Sequence, residues 1–400
     1  MSQLDRRQAL RMLGALGVTG LAAACGRLDD PDSGTEPLSD EPVRIGLIAA
    51  QSGAYKPIGD ELVRGFRLYL ELNDERLGGH PVELLIADEG STVESGRAAL
   101  DELVKQQVLA LTGVVSSSVM LGIRDAVEEA KVPLIGSNAS PSALQSVVYI
   151  WRTSYVNDEA GRAMAPYVAR RVPEDGRVAI IAPEYDAGQD SVQGFRRAFG
   201  EADERIADPV LWAPHTTSPN ENTYRSVLEE LMDRDPDAIF CHFDGEAAVA
   251  FITQLRAAGY RKQIFAPGFL TEGTVLSQLK RSAAEGIMTA LNYSADINNA
   301  ANRRFASAYR KAYGASPTTY AMASYDAAQV LHKAIRIAGS NLTPLQVNLA
   351  LGKIGQIDSP RGPWQFNQPR TPQQKWYLRR VQPDGQVLSN VLISELATLG

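Results

Sequence analysis

Three consecutive serines, Ser116, Ser117 and Ser118, follow an apolar run at 110–115 and precede a helical pattern at 120–131. A strand that ends in hydroxyls and opens into a helix sets small donors beside free N–H groups and a partial positive charge, a combination that suits a carboxylate. One serine would cap the helix, and Ser117 is the one expected to touch a ligand. Asn138 and Ser140 stand in the equivalent loop after the next apolar run, where such residues serve either a ligand or the turn itself. Tyr55 lies in the first strand–helix loop, 52–58, and is expected to wall a pocket. In the second half of the chain Tyr185, Asp186, Asp244 and Glu272 occupy corresponding loops; a surface charge without a role is the competing reading of Glu272. These groups grip rather than react. The sequence has no G-x-G-x-x-G after a strand, no Walker loop, no H-E-x-x-H, no C-x-x-C and no G-x-S-x-G. His80, His215, His242 and His332 lack metal-ligand spacing. His242 has no evident nucleophile beside it and reads as a core or cleft-lining residue. The expectation is a binding protein with no enzyme activity, no cofactor and no metal.

The elements that must position these loops are short apolar runs alternating with longer amphipathic ones, the pattern of an α/β fold with parallel sheets. Strands are expected at 43–50, 82–88, 110–115 and 133–135. Helices are expected from Asp60 to the Gly78-Gly79 stop, at 93–107 and at 120–131. A second series follows Thr153, with strands at 178–182, 210–212, 238–242, 264–266 and 286–291. Its helices are expected at 191–199, 224–234, 246–258, 302–313 and 321–338. The C-terminus changes character: 357–366, 376–381 and the stretch from Val387 read as antiparallel hairpins. Two α/β lobes result, in keeping with a body too long for one typical core.

The N-terminus speaks of export. Arg6 and Arg7, with Arg11, precede an uncharged stretch from Met12 to Ala24 that is too short to span a bilayer. Arg6-Arg7-Gln8-Ala9 resembles a twin-arginine signal, with Ala9 where an aromatic is preferred. Leu21-Ala22-Ala23-Ala24-Cys25 resembles a bacterial lipobox, which implies a signal peptide at 1–24 and a lipid on Cys25. Residues 25–42, rich in Asp, Glu, Pro, Ser and Gly, read as a flexible acidic tether. The whole chain carries a net charge of −7. Without the signal's three Arg and one Asp the body is near −9, which argues against a nucleic-acid partner and for a soluble monomer. With Cys25 lipidated, Cys241 is the one cysteine left, expected to be a buried thiol.

Several segments together resemble one family. Ile45-Gly46-Leu47-Ile48 with Ser52-Gly53 and Gly59, Leu77-Gly78-Gly79-His80-Pro81-Val82 and Asp88 carry the first part. Gly113 to Ser118, Val132-Pro133-Leu134-Ile135, Asp186-Ala187-Gly188-Gln189-Asp190 and Ser359-Pro360-Arg361-Gly362 carry the rest. From Val43 to the end the chain resembles the branched-chain amino-acid-binding (Leu/Ile/Val-binding) family of type I periplasmic substrate-binding proteins. The resemblance implies two Rossmann-like lobes joined by three crossovers, placed here near Tyr155, Asn292 and 359–381. It divides the body into an N-terminal lobe of 43–155 plus 293–358 and a C-terminal lobe of 156–292 plus 359–400. It implies closure on a small polar ligand (an amino acid, an amide or a related carboxylate) and delivery to an ABC permease and its ATPase. A membrane-tethered sensor for a signalling partner is the alternative. In the family the loop of Asn138 and Ser140 offers a carbonyl and a hydroxyl to the ligand. Asp244 stands where an aromatic residue often sits, and Gly268-Phe269-Leu270 where a Glu pairs with the ligand ammonium. The ammonium partner here is Asp244, Glu272 or absent. Trp364 is expected to pack as hinge structure, with ligand contact as the other reading.

Overall fold

The computed structural model describes residues 39–144, 146–340 and 342–400; the signal, Cys25 and most of the tether lie outside them. Strands β1 (Val43–Ala49), β2 (Arg76–Leu77), β3 (His80–Asp88), β4 (Ala110–Gly113), β5 (Leu134–Gly136) and β6 (Ile150–Arg152) form one sheet in the order β2-β3-β1-β4-β5-β6. It is parallel except for the β2–β3 pair. A second sheet holds β7 (Val178–Pro183), β8 (Leu211–Ala213), β9 (Ala238–Cys241), β10 (Gln263–Pro267), β11 (Met288–Leu291), β12 (Gln365–Phe366) and β13 (Pro372–Asp384). Its order is β12-β13-β11-β10-β9-β7-β8, and β14 (Val387–Leu399) pairs antiparallel with β13. β1, β4, β5, β7 and β9 are buried on both faces, which explains their continuous apolar runs.

The principal helices are α1 (Lys56–Glu71), α2 (Val93–Lys105), α3 (Ser117–Ala130), α4 (Glu159–Arg171), α5 (Asp186–Phe199), α6 (Arg225–Arg234), α7 (Gly245–Ala257), α8 (Ala300–Tyr313), α9 (Thr319–Ala338) and α10 (Pro344–Leu351). Single helical turns add Gly268–Thr271, Val275–Gln278 and Arg281–Ala284. The two-lobe α/β architecture is the one expected from the sequence; several boundaries differ. α3 starts three residues before the expected 120, and α5 five before 191. Apolar periodicity cannot see a first turn made of Ser117, Ser118 or Asp186, although such residues favour helix starts. α4 escaped detection because small residues form much of its buried face. A Cβ on Gly161 would stand 2.4 Å from the Ser191 carbonyl oxygen, and one on Gly194 2.1 Å from that of Asp158, so α4 and α5 lie in close contact. The hairpin expected at 357–366 shrinks to β12 and an Ile357–Trp364 bridge, β13 runs longer than the expected 376–381, and β14 begins at Val387 as expected.

Chain passes between the sheets after β6, after β11 and before β12, and a buried polar cluster ties these passes together. Arg361 is 2 % exposed and pairs with Asp326 at 3.0 Å. It also donates to the Ser154 carbonyl (2.9 Å), the Thr153 carbonyl (2.6 Å) and Gln374 Oε1 (2.5 Å). Asn292 Nδ2 joins by donating to the same Ser154 carbonyl and to Gln374. Trp364 belongs here too: its indole N–H donates to Asp326 and the Arg361 guanidinium lies 4.7 Å from its ring centre. Hinge packing is therefore the role its geometry supports. Cys241 is a buried thiol, as expected, and burial pushes its ionisation upward.

Candidate functional site

The serine loop is built by a tight reversal at the end of β4. Gly113 has φ 111°, and a Cβ there would stand 2.0 Å from the Ile48 carbonyl oxygen, so only glycine fits. Val114 follows at φ 65°, a conformation unfavourable for a β-branched residue and held by Val114 N–H to Ile48 O and Ala139 N–H to Val114 O. After the turn the N–H groups of Val115 and Ser116 donate to the two carboxylate oxygens of Glu89 at 2.6 and 2.7 Å. Glu89 is 1 % exposed, and burial pushes it up to about 7 against the pull of those two bonds. The sequence reading missed Glu89; its place directly after β3, beside Asp88, was the available signal.

Each of the three serines has its own task. Ser116 caps α3, its hydroxyl accepting from Val119 N–H at 3.4 Å. Ser117 Oγ accepts from Asn157 Nδ2 at 3.2 Å, and Ser118 Oγ donates to Asp186 Oδ2 at 3.2 Å. The N–H groups of Ser117 and Ser118 fall in the first turn of α3, where no intrahelical carbonyl can reach them. All three serines line one cavity with Tyr55, Asn138, Tyr155, Asn157, Tyr185, His215, His242, Asp244, Phe269 and Tyr320. Its volume is ≈ 130 Å³. A larger recess of ≈ 680 Å³ lies against the β13–β14 hairpin and shares none of these residues. The smaller cavity is the candidate site because it lies between the two lobes, at the carboxyl ends of parallel strands.

Of the residues singled out from the sequence, seven meet there: Ser116, Ser117, Ser118, Asn138, Tyr55, Tyr185 and Asp244. Three do not. Ser140 is fully buried beneath the loop, where its carbonyl accepts from Asn157 N–H, and Ala139 lines the cavity instead. Asp186 begins α5 and meets Ser118 across the lobes rather than facing the cavity. Glu272 is neither exposed nor in the cavity: Arg379 holds its carboxylate at 2.8 Å and Thr319 N–H donates to it at 2.9 Å. Its charge is spent inside the protein, and the cavity-lining residue of that loop is Phe269.

The second lobe gives the cavity a mostly aromatic wall. Phe269 lies 5.1 Å from Tyr155 and 6.3 Å from Tyr320, and Tyr185 stacks on His215 at 4.2 Å with 7° between planes. Tyr185 Oη lies 3.1 Å from Asp244 Oδ2 and 3.2 Å from His242 Nε2. Burial pushes His242 down to about 4 despite the nearby Asp244, and raises the Tyr185 phenol well above its ordinary range. Both rings are neutral near pH 7. Tyr155 and Tyr320 were not foreseen as wall residues; Tyr155 follows β6 at a crossover and Tyr320 stands in the first turn of α9, positions that apolar periodicity does not mark. Among the described residues no group of three or more His, Cys, Asp and Glu could hold a metal, and no helix is long and apolar enough to cross a membrane.

Residues 42–386 match the family described as periplasmic binding protein. The chain belongs to that family. A Leu/Ile/Val-binding protein homolog 6 from Brucella melitensis is 24 % identical over 351 residues, covering 85 % of this chain and 87 % of that protein. An ABC-transporter solute-binding protein of R. palustris, solved with benzoate, is 27 % identical with TM-score 0.80, covering 89 % of this chain and 97 % of its own. Another from R. palustris, solved with 4-hydroxybenzoate, is 25 % identical with TM-score 0.78, covering 90 % and 98 %. These relatives are binding proteins rather than enzymes. The family places its members outside the cytoplasm as captors of small solutes.

Proposed function

We propose that this periplasmic binding protein captures a small aromatic carboxylate and hands it to an ABC permease and ATPase, tethered to the membrane by lipid on Cys25. One observation carries the ligand class. The cavity joins the first turn of a helix, with its serine hydroxyls, to a wall of Tyr55, Tyr155, Tyr185, Phe269 and Tyr320. The first turn of α3 suits a carboxylate; stacked rings suit a flat apolar body. Apolar cavities of about 150 Å³ hold one benzene ring, and ≈ 130 Å³ is of that order. The R. palustris protein solved with benzoate supports the same class. An α-amino acid is the second reading, favoured by Asp244, whose carboxylate reaches the cavity and could take an ammonium. Phe269 and the internal pairing of Glu272 weigh against it.

Thermal shift and titration calorimetry of the purified protein against benzoate, leucine, phenylalanine and glucose test the ligand class. Stabilisation by benzoate is expected, and stabilisation by leucine alone would overturn it. For the anchor, Cys25→Ser is expected to move the protein from the membrane to the soluble fraction; unchanged membrane association would refute lipidation at that residue.

A further inference from the structure

Asp244 occupies the N-cap of α7, a place where aspartate ordinarily bonds the helix's own N–H groups. It does not cap. Its carboxylate turns instead toward the cleft and accepts from Tyr185 Oη at 3.1 Å. Behind Tyr185 stands His242, 3 % exposed, with Nε2 3.2 Å from the same phenol oxygen. A phenol has one proton, and only one arrangement satisfies both contacts with a neutral imidazole: His242 Nε2–H donates to Tyr185, and Tyr185 donates to Asp244. His242 Nδ1 is then a bare acceptor, consistent with its having no partner among the described residues. The tyrosine is fixed further by its stacking on His215. The relay runs one way, and it ends on Asp244. No group among the described residues donates to the second oxygen, Oδ1, while the residue lines the cavity. The cavity therefore has a donor pole at the first turn of α3 and an acceptor pole at Asp244, contributed by opposite lobes with aromatic rings around them.

Resting on the aromatic-carboxylate reading above, we propose that Asp244, oriented by Tyr185 and His242, reads a hydroxyl on the ligand ring remote from its carboxylate, so that the ligand is a hydroxylated benzoic acid. The carboxylate end binds in the first lobe and the phenol donates to Asp244 Oδ1 in the second. Such a ligand bridges both lobes and favours closure on itself. A benzoate without the hydroxyl leaves that acceptor dry and unpaired, which costs affinity. A methyl ether in its place adds bulk and brings no donor.

The test is calorimetric titration of the purified protein with 4-hydroxybenzoate, benzoate, 4-methoxybenzoate and L-phenylalanine, repeated for Asp244→Ala and Tyr185→Phe. The protein is expected to bind 4-hydroxybenzoate about tenfold or more tightly than benzoate or 4-methoxybenzoate, as a hydrogen bond to a charged group allows. Asp244→Ala is expected to shrink that ratio to about twofold or less, and Tyr185→Phe to reduce it in part. Equal binding of benzoate and 4-hydroxybenzoate by the unaltered protein would overturn the phenol reading and leave the aromatic-carboxylate reading standing. A ratio that survives Asp244→Ala would overturn the assignment to Asp244. Binding of L-phenylalanine with no binding of any benzoate would overturn both readings.

Discussion

Replacing Glu89 by glutamine should flatten the dependence of stability on pH. The carboxyl is buried, and among the described residues it has no cationic partner and its two oxygens accept the N–H groups of Val115 and Ser116. Burial carries it from 4.5 in the unfolded chain to about 7 in the folded one. Between those values the folded state binds more protons than the unfolded state, so stability falls as pH rises from about 4.5 through about 7. At about 1.4 kcal/mol per pH unit the loss reaches roughly 3 kcal/mol. Glutamine keeps the shape but cannot ionise. At pH 4 the variant should be less stable by about 1 kcal/mol, because one amide N–H meets a backbone donor. By pH 8 the comparison should have moved in the variant's favour by up to roughly 3 kcal/mol, about 4 °C for a body of this size. Glu159, pushed up to about 7 by burial in the same way, contributes equally to both proteins and cancels in the difference. Thermal melts of the two proteins at half-unit steps from pH 4 to 8 give the comparison. Parallel curves would refute the claim that Glu89 carries an uncompensated buried charge.

Ser117→Ala should weaken binding of a carboxylate ligand by about 1–3 kcal/mol in calorimetry, since it removes a donor beside the α3 terminus; unchanged affinity would move the carboxylate elsewhere. Arg361→Met should destabilise the fold by about 3–5 kcal/mol in chemical denaturation, because Asp326 would remain buried without its cation; a loss under about 1 kcal/mol would show that the pair does not hold the crossovers. Gly113→Ala should cost more than about 2 kcal/mol and abolish ligand-induced stabilisation, the added methyl meeting the Ile48 carbonyl oxygen. Wild-type melting behaviour would contradict that close approach.

Much of the architecture was legible in the sequence because both sheets are largely parallel and buried. Runs such as 178–182 and 238–241 are apolar throughout, and the helices between them repeat every three or four residues. Loops after strands could therefore be located, and Ser117, Asn138, Tyr185 and Asp244 line one cavity. The sequence by itself determined the alternation of buried strands and amphipathic helices, the serine-rich helix start and the family. Only the tertiary structure decided how each charge is spent. Glu272 could be a ligand partner or a surface charge until Arg379, 107 residues away in sequence, closed on it. Glu89 was an ordinary acid until the turn at Gly113 and Val114 brought two N–H groups onto it. Pattern and propensity are local and survive in a list of residues; whether a carboxylate meets a cation, two amides or an open cavity depends on distances that exist only once both lobes have formed.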